Sequence, residues 1–127
     1  MQIYLEKIII FCANVEKMVT FYQDCFHLTL ESKIDTTWTV AHAGQVKIAF
    51  HKIGDEFLPA TTSDFKITDS NIKIVFEIDT DLTAFRETLL SKKVDIGEIR
   101  KFEGADYLSF DGSDPEGNVF QVIQFVS

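Results

Sequence analysis

Cysteine, proline and tryptophan are scarce in this chain, which contains two, two and one of them among 127 residues. The cysteines, Cys12 and Cys25, have no CxxC spacing and no paired histidine, so they give no zinc-site pattern. Burial as small apolar side chains accounts for both of them. The low proline content and the lack of a repetitive polar tract exclude a disordered linker. We therefore expect an ordinary globular protein.

The chain also lacks a basic run and a long apolar segment. Its formal net charge is -8, and a protein without a basic patch is poorly suited to nucleic acid or to anionic membranes. The negative charge fits either a solvated surface or a cavity for a cationic ligand. The sequence has no apolar stretch of about 18 residues, and it opens without the basic residues of a secretory signal. We predict a cytoplasmic protein with neither a nucleic-acid nor a membrane partner.

Hydrophobic residues are plentiful, at 46% of the chain, and their spacing predicts regular secondary structure. Residues 5–12 are β-branched and apolar on both faces, which is typical of a central strand. Asn14 is a good helix N-cap before a helical pattern that includes Val15, Met18 and Tyr22. Three strands are then predicted, at residues 28–31, 36–40 and 46–51.

The same order of elements returns in the second half of the chain. Residues 72–78 have a strand pattern, and Thr80 is a candidate N-cap for the helix that follows. Leu82, Phe85 and Leu89 share one face of that helix. Three further strands are predicted, at residues 94–99, 106–110 and 118–125.

Each half therefore predicts a βαβββ module. A shift of 66 residues relates Lys7 to Lys73 (73 − 7 = 66) and Asn14 to Thr80 (80 − 14 = 66). One such module cannot bury both faces of its sheet, so two modules should pack together. We predict an α+β fold in which the two modules form a curved, cup-shaped mixed sheet with the helices outside. The domain prediction is a single domain over residues 1–127, with module one at 1–53, a connector at 54–70 and module two at 71–127.

Two stretches resemble the glyoxalase/bleomycin-resistance/dioxygenase superfamily, also called the vicinal oxygen chelate superfamily. Residues 8–24 (IIIFCANVEKMVTFYQD) resemble its first strand, polar cap and helix ending in Phe-Tyr. Residues 110–124 (FDGSDPEGNVFQVIQ) resemble its last hairpin, in which Pro115 presets φ and Gly117 accepts a positive φ. His27 departs from the pattern, since members commonly have glycine after the first helix. The resemblance covers nearly the whole chain and implies a homodimer.

The resemblance also implies four positions for metal ligands. Metal-dependent members are similar in placing His, Gln or Glu on the first and last strands of each half. Aligned on the two stretches, these positions are Lys7, Ala49, Lys73 and Gln121. An ammonium group has no lone pair and a methyl group donates nothing, so we predict no metal and no other cofactor. His51, two residues from Ala49 on the same strand face, is an alternative ligand together with Gln121.

The candidate ligand-binding residues are those expected to line the concave cavity: Lys7, Trp38, Lys47, Ala49, His51, Lys73, Glu77 and Gln121. Lys7 and Lys73 fit either a role in binding an anionic or carbonyl ligand or a position with apolar stems and solvated ammonium groups. Glu77 lies four residues after Lys73 on the same strand face, which favours neutralisation of that lysine over catalysis. A lone tryptophan such as Trp38 in a strand is typical of a core or cavity wall.

The function predicted from these residues is that of a metal-free protein, similar to the bleomycin-resistance branch, which binds a small organic molecule. The pattern favours a binding protein over an enzyme, and no catalytic residue is assigned. One alternative is a lyase, isomerase or dioxygenase that uses His51 and Gln121 as metal ligands, or a lysine as base or Schiff-base former. Another is a structural or interaction module whose cavity is filled by its own side chains. Nucleophile-elbow and phosphate-loop motifs are absent from the sequence.

Overall fold

Both halves of the chain repeat one order of elements, strand, helix and three strands. The computed structural model describes residues 1–62 and 65–126, and the chain divides into unit 1, Met1–Phe65, and unit 2, Lys66–Ser127. Unit 1 contains β1 (Lys7–Cys12), α1 (Val15–Phe26), β2 (Thr29–Leu30), β3 (Trp38–Ala43), β4 (Val46–Lys52) and a short 3₁₀ helix (Asp55–Phe57). Unit 2 contains β5 (Ile74–Glu77), α2 (Leu82–Ser91), β6 (Asp95–Ile96), β7 (Tyr107–Ser113) and β8 (Val119–Phe125). The predicted α+β class with two βαβββ modules is confirmed, whereas the domain boundaries stay predictions.

Each unit builds one four-stranded mixed sheet, and the two sheets have matching strand orders. The orders are β1-β4-β3-β2 and β5-β8-β7-β6, with the first strand of each unit parallel to the last. Ile9 pairs with Ala49 in unit 1, and Val75 pairs with Gln121 in unit 2. The shift of 66 residues at the first strand is therefore preserved in the strand pairing. The prediction of a central first strand is wrong, because β1 forms one end of its sheet.

Helix α1 begins and ends at residues that the sequence singled out. Asn14 caps it by accepting a hydrogen bond from the Lys17 amide at 3.0 Å. At the other end, His27 adopts a left-handed conformation with φ 56°, and its amide donates to the Gln23 carbonyl at 2.9 Å. Histidine thus occupies a conformation that usually favours glycine. The buried face of α1 consists of Val15, Met18, Val19, Tyr22 and Cys25.

Helix α2 differs from its prediction at the first residue. Asp81, not Thr80, is the N-cap, and its carboxylate accepts from the Ala84 amide at 3.0 Å. Both residue types can cap a helix, and the later one takes the role because the helix starts at Leu82. Only Leu82 and Leu89 are buried in α2, against five residues in α1. Within the described residues, no helix has the length and hydropathy needed to cross a membrane.

The hairpin between β7 and β8 contains the predicted Asp-Pro-x-Gly-Asn turn. Gly117 has φ 88°, and its amide donates to the Asp114 carbonyl at 3.0 Å. The Asp114 carboxylate is buried and accepts from the Glu116 and Asn118 amides, each at 3.0 Å. A Cβ at Gly117 would lie 2.8 Å from the Ile67 carbonyl oxygen, so glycine is required by space as well as by conformation.

Candidate functional site

Each sheet has one face that packs against the helix of its unit and one that does not, which we call the open face. In unit 1 the Tyr22 ring of α1 lies 5.5 Å from the Phe50 ring, which identifies the helix side of β4. Side chains alternate along a strand, and paired residues of neighbouring strands share a side. The register therefore places three rows on the open face of unit 1: Lys7, Lys47 and His42; Ile9, Ala49 and Val40; and Phe11, His51 and Trp38.

The first row is a network of ion pairs. Glu6 binds both Lys7 and Lys47, and its distance to the Lys47 Nζ atom is 2.8 Å. Lys47 also lies 3.2 Å from Glu31, and Glu31 lies 3.1 Å from the His42 Nε2 atom. The hydrogen bonds from Lys47 and Lys7 lower the pKa of Glu6 to about 2, and the carboxylates of Glu6 and Glu31 raise the pKa of Lys47. The lysine charges on this row are thus balanced by carboxylates.

The third row consists of three aromatic rings, Phe11, His51 and Trp38, which we call the aromatic row. The His51 ring centroid lies 5.3 Å from that of Phe11 and 5.4 Å from that of Trp38. The rings are open to solvent, since Phe11 is 56% exposed and Trp38 is 39% exposed. This row explains why β1 is apolar on both faces although it is at the end of its sheet.

A concavity of about 610 Å³ adjoins the aromatic row, and all its walls belong to unit 1. Residues of β1 and β4 line it together with residues that follow β4. The complete lining is Phe11, His51, Lys52, Ile53, Gly54 and Phe57. A volume of this size is within the range of drug-sized ligand sites, roughly 300–1,000 Å³.

The open face of unit 2 contains a polar cluster centred on Asp111. The Phe85 ring of α2 lies 6.4 Å from the Phe110 ring, so the neighbouring residue Asp111 belongs to the open face. Its carboxylate lies 2.9 Å from the Lys73 Nζ atom and accepts from the Gln121 Nε2 atom at 3.1 Å. Lys73, Asp111 and Gln121 form what we call the Asp111 cluster. Lys73 is thus paired with Asp111, and not with Glu77 as the sequence suggested.

The strand register places seven of the eight candidate residues on the two open faces, and the eighth, Lys73, which precedes β5, reaches the open face of unit 2 through its ion pair with Asp111. In unit 1 it brings Lys7 beside Lys47 and His51 beside Trp38, with the fully buried Ala49 between these pairs. In unit 2 it brings Lys73 together with Gln121 through Asp111, while Glu77 pairs with Ile123 at the other end of β5. Whether these residues bind a ligand stays a prediction.

The residues that sequence reasoning missed around these faces include Glu6, Phe11 and Asp111. Phe11 had a usable signal, because it lies four residues after Lys7 and therefore on the same side of β1. Asp111 could be found by pairing β7 with β8 across the Asp114–Asn118 turn, which sets it opposite Gln121. Glu6 had no signal, since it precedes the strand and reaches Lys47 only in the folded chain.

The side chains at the four implied metal positions do not fit a divalent ion. Lys7 and Lys73 are paired with carboxylates, and an ammonium group has no lone pair for a metal ion. Ala49 has no donor atom, and Gln121, whose Nε2 atom donates to Asp111, offers a single amide oxygen, which is too few ligands to hold a divalent ion. Among the described residues, no group of three or more His, Cys, Asp or Glu side chains is arranged to hold a metal ion.

Comparisons with known proteins identify the fold and the family. Among solved structures, an integron cassette protein from the mobile metagenome of V. Pseudocholerae has 24% identity and a TM-score of 0.74, covering 100% of this chain and 98% of that one. The fosfomycin resistance protein FosX from Listeria monocytogenes has 15% identity and a TM-score of 0.75, covering 98% and 94%. Lactoylglutathione lyase from Agrobacterium tumefaciens has 12% identity and a TM-score of 0.71, covering 95% and 92%. At these identities the likeness shows a shared fold.

No curated protein matches the sequence significantly. The family model, in contrast, matches residues 4–122, which is nearly the whole chain and includes both βαβββ units. The chain belongs to the Glyoxalase/Bleomycin resistance protein/Dioxygenase superfamily.

Proposed function

We propose that this protein is a cytoplasmic, homodimeric, metal-free member of the superfamily that binds a small organic molecule on its open faces. Members of the superfamily usually bind small molecules and form dimers. The similar structures include a fosfomycin resistance protein and a lactoylglutathione lyase, and both names refer to small organic compounds. We therefore expect a small organic ligand, as in the names of these similar proteins, and no bound metal.

The observation that carries the proposal is the pairing of Lys7 and Lys73 with carboxylates at the implied metal positions. Lys73 lies 2.9 Å from Asp111, and Lys7 binds Glu6. An ammonium group has no lone pair for a metal ion, and each of these two is balanced by a carboxylate, so neither position offers a metal ligand.

A second observation supports binding over a purely structural role. The open face of unit 1 exposes large apolar side chains, including Phe11 and Phe57, beside a concavity of about 610 Å³. Exposed aromatic surface around a cavity is typical of a ligand site, because burying it against an apolar ligand is favourable. A module filled by its own side chains would not leave these rings in water.

Thermal-shift screening and metal analysis of the purified protein test the proposal. We expect at least one class among metabolites, antibiotics and xenobiotics to raise the melting temperature in a concentration-dependent manner. We expect elemental analysis to find no stoichiometric transition metal, and size-exclusion chromatography with light scattering to give the mass of a dimer. A stoichiometric metal that survives dialysis would contradict the metal-free part. Borohydride trapping of a carbonyl compound on Lys7 or Lys73 would indicate an enzyme instead.

A further inference from the structure

We propose that the concavity beside the aromatic row of unit 1 binds a planar aromatic cation. This inference rests on the proposed function and narrows it to a chemical class of ligand. It depends on the rings that surround the concavity, on the charges at its rim and on the polar groups that its walls leave available.

The rings favour a flat aromatic partner. Phe57, after β4, is 76% exposed, and Phe11, in β1, is 56% exposed, and both line the concavity together with the exposed His51 ring. Three accessible rings within one cavity provide faces and edges for stacking, which an aliphatic ligand uses less well. Trp38 extends this aromatic surface, and its ring packs edge-on against the His51 ring at an interplanar angle of 77°.

The charges at the rim favour a cation. Lys52 is the cationic residue of the lining, and its ammonium group is already 3.2 Å from the Asp55 carboxylate. Glu56 adds a second carboxylate, since a Cβ on the lining residue Gly54 would lie 3.0 Å from its Oε2 atom. Lys52, Asp55 and Glu56 together give a local charge of about −1, and the formal net charge of -8 adds a long-range attraction for cations. Aromatic faces attract cations as well.

Two polar groups at the concavity agree with this ligand class: Glu56, which lies beside the lining residue Gly54, and His51, which belongs to the lining. Within the described residues, Glu56 forms no ion pair, so its carboxylate is available to a ligand. The His51 imidazole contacts two rings but has no hydrogen bond to another described residue, which leaves its nitrogens available. Lys52, the cation of the lining, is already paired with Asp55, so an anionic ligand would have to compete with that carboxylate for it.

Titration of the full-length protein with proflavine, a planar aromatic cation, tests the inference. Binding is followed by proflavine anisotropy and by quenching of Trp38, which is the only tryptophan of the chain. We expect saturable binding that is roughly tenfold tighter than that of anilinonaphthalene sulfonate, an aromatic anion. Tetraethylammonium, a cation without a ring, should not displace proflavine.

Matched variants locate the site. Phe57→Ala should weaken proflavine binding roughly five- to tenfold, whereas Tyr4→Ala should leave it unchanged. Both rings are 76% exposed, but Tyr4 precedes β1 at the end of the strand away from Phe11. Glu56→Gln should weaken binding roughly two- to fivefold. Glu16→Gln changes the net charge equally on the helix side of unit 1 and should have no effect.

The outcomes distinguish a failure of the inference from a failure of the proposed function. The expected pattern supports both. Equal affinity for the cation and the anion, or equal effects of Phe57→Ala and Tyr4→Ala, would overturn the inference. If proflavine fails to bind while another organic compound raises the melting temperature, the inference falls and the proposed function stands. If no organic compound binds or stabilises the protein, both are refuted.

Discussion

Row by row, the open faces of the two units contain different chemistry at equivalent positions of one architecture. By strand register, the aromatic row of unit 1, Phe11, His51 and Trp38, corresponds to Glu77, Ile123 and Ser109 in unit 2. The apolar middle row, Ile9, Ala49 and Val40, corresponds to Val75, Gln121 and Asp111. Strand order and register have been kept in both units, while the open-face side chains have diverged. Unit 1 provides aromatic surface, and unit 2 provides a polar cluster.

The two helices differ in the number of residues that they bury. Helix α1 buries five residues and α2 buries two. The Tyr22 side chain of α1 is 1% exposed and contacts the rings of Phe21, Phe26 and Phe50. Since burial of apolar area is the main stabilising contribution, we expect unit 1 to depend more on its helix than unit 2 does.

The largest expected effect follows from this difference between the helices. Tyr22→Ala should lower the free energy of unfolding by about 3–5 kcal/mol, because it leaves a cavity among buried rings. Phe85→Ala in α2 should cost only about 1–2 kcal/mol, because Phe85 is partly exposed. Urea unfolding followed by circular dichroism measures both variants. Equal losses would show that the two helices contribute alike, contrary to their burial.

The turns that precede the last strand of each unit differ in the interactions that stabilise them. Asp114 is 4% exposed and accepts hydrogen bonds from the Glu116 and Asn118 amides. Asp114→Ala should therefore cost about 2–4 kcal/mol, since the Glu116 and Asn118 amides lose their carboxylate acceptor in a buried turn. In unit 1 the turn depends on Gly44, with φ 68° and nothing near its Cβ position. Gly44→Ala should cost only about 1 kcal/mol in the same urea experiment, and a larger loss there than at Asp114 would contradict this view.

The sequence predicted the architecture better than the open faces. Asn14 and the Asp-Pro-x-Gly-Asn turn depend on interactions within a few residues, so local chemistry was sufficient to predict them. The exchange of Thr80 for Asp81 is a small error, because adjacent residues can compete for one cap. Pairing between distant residues was harder: Lys73 was assigned to the nearby Glu77, but its partner Asp111 is 38 residues away. Such contacts depend on register, which single-sequence patterns specify only weakly.

A third contrast concerns the helix side of the paired strands. Gly112 in β7 faces Phe120, whereas the equivalent Ala41 in β3 faces Ile48. A Cβ at Gly112 would lie 2.4 Å from the Phe120 ring and 2.7 Å from Ile96. Gly112→Ala should therefore cost about 1–3 kcal/mol by overpacking.

The same substitution combined with Phe120→Ile reproduces the pair found in unit 1. We expect Gly112→Ala to be less costly in that background, because the smaller side chain makes room for the methyl group. A double-mutant cycle on urea unfolding measures the difference. An equal penalty in both backgrounds would mean that Ile96, and not Phe120, limits the space at Gly112.

The smallest expected effect concerns the ion-pair network that only unit 1 has at this place, since Glu6 corresponds to Ile72 in unit 2 (72 − 6 = 66). The hydrogen bonds from Lys47 and Lys7 lower the pKa of Glu6 from 4.5 to about 2 in the folded chain. A lowered carboxyl pKa stabilises the fold above the unfolded pKa, and this contribution disappears as the pH falls from 4.5 towards 2. Glu6→Gln should therefore lower the urea midpoint slightly at neutral pH and converge with the wild type near pH 2.

Glu16→Gln, which removes an exposed carboxylate from α1, is the control. A constant difference between Glu6→Gln and the wild type down to acid pH would show that the effect of Glu6 is not electrostatic, because packing does not titrate.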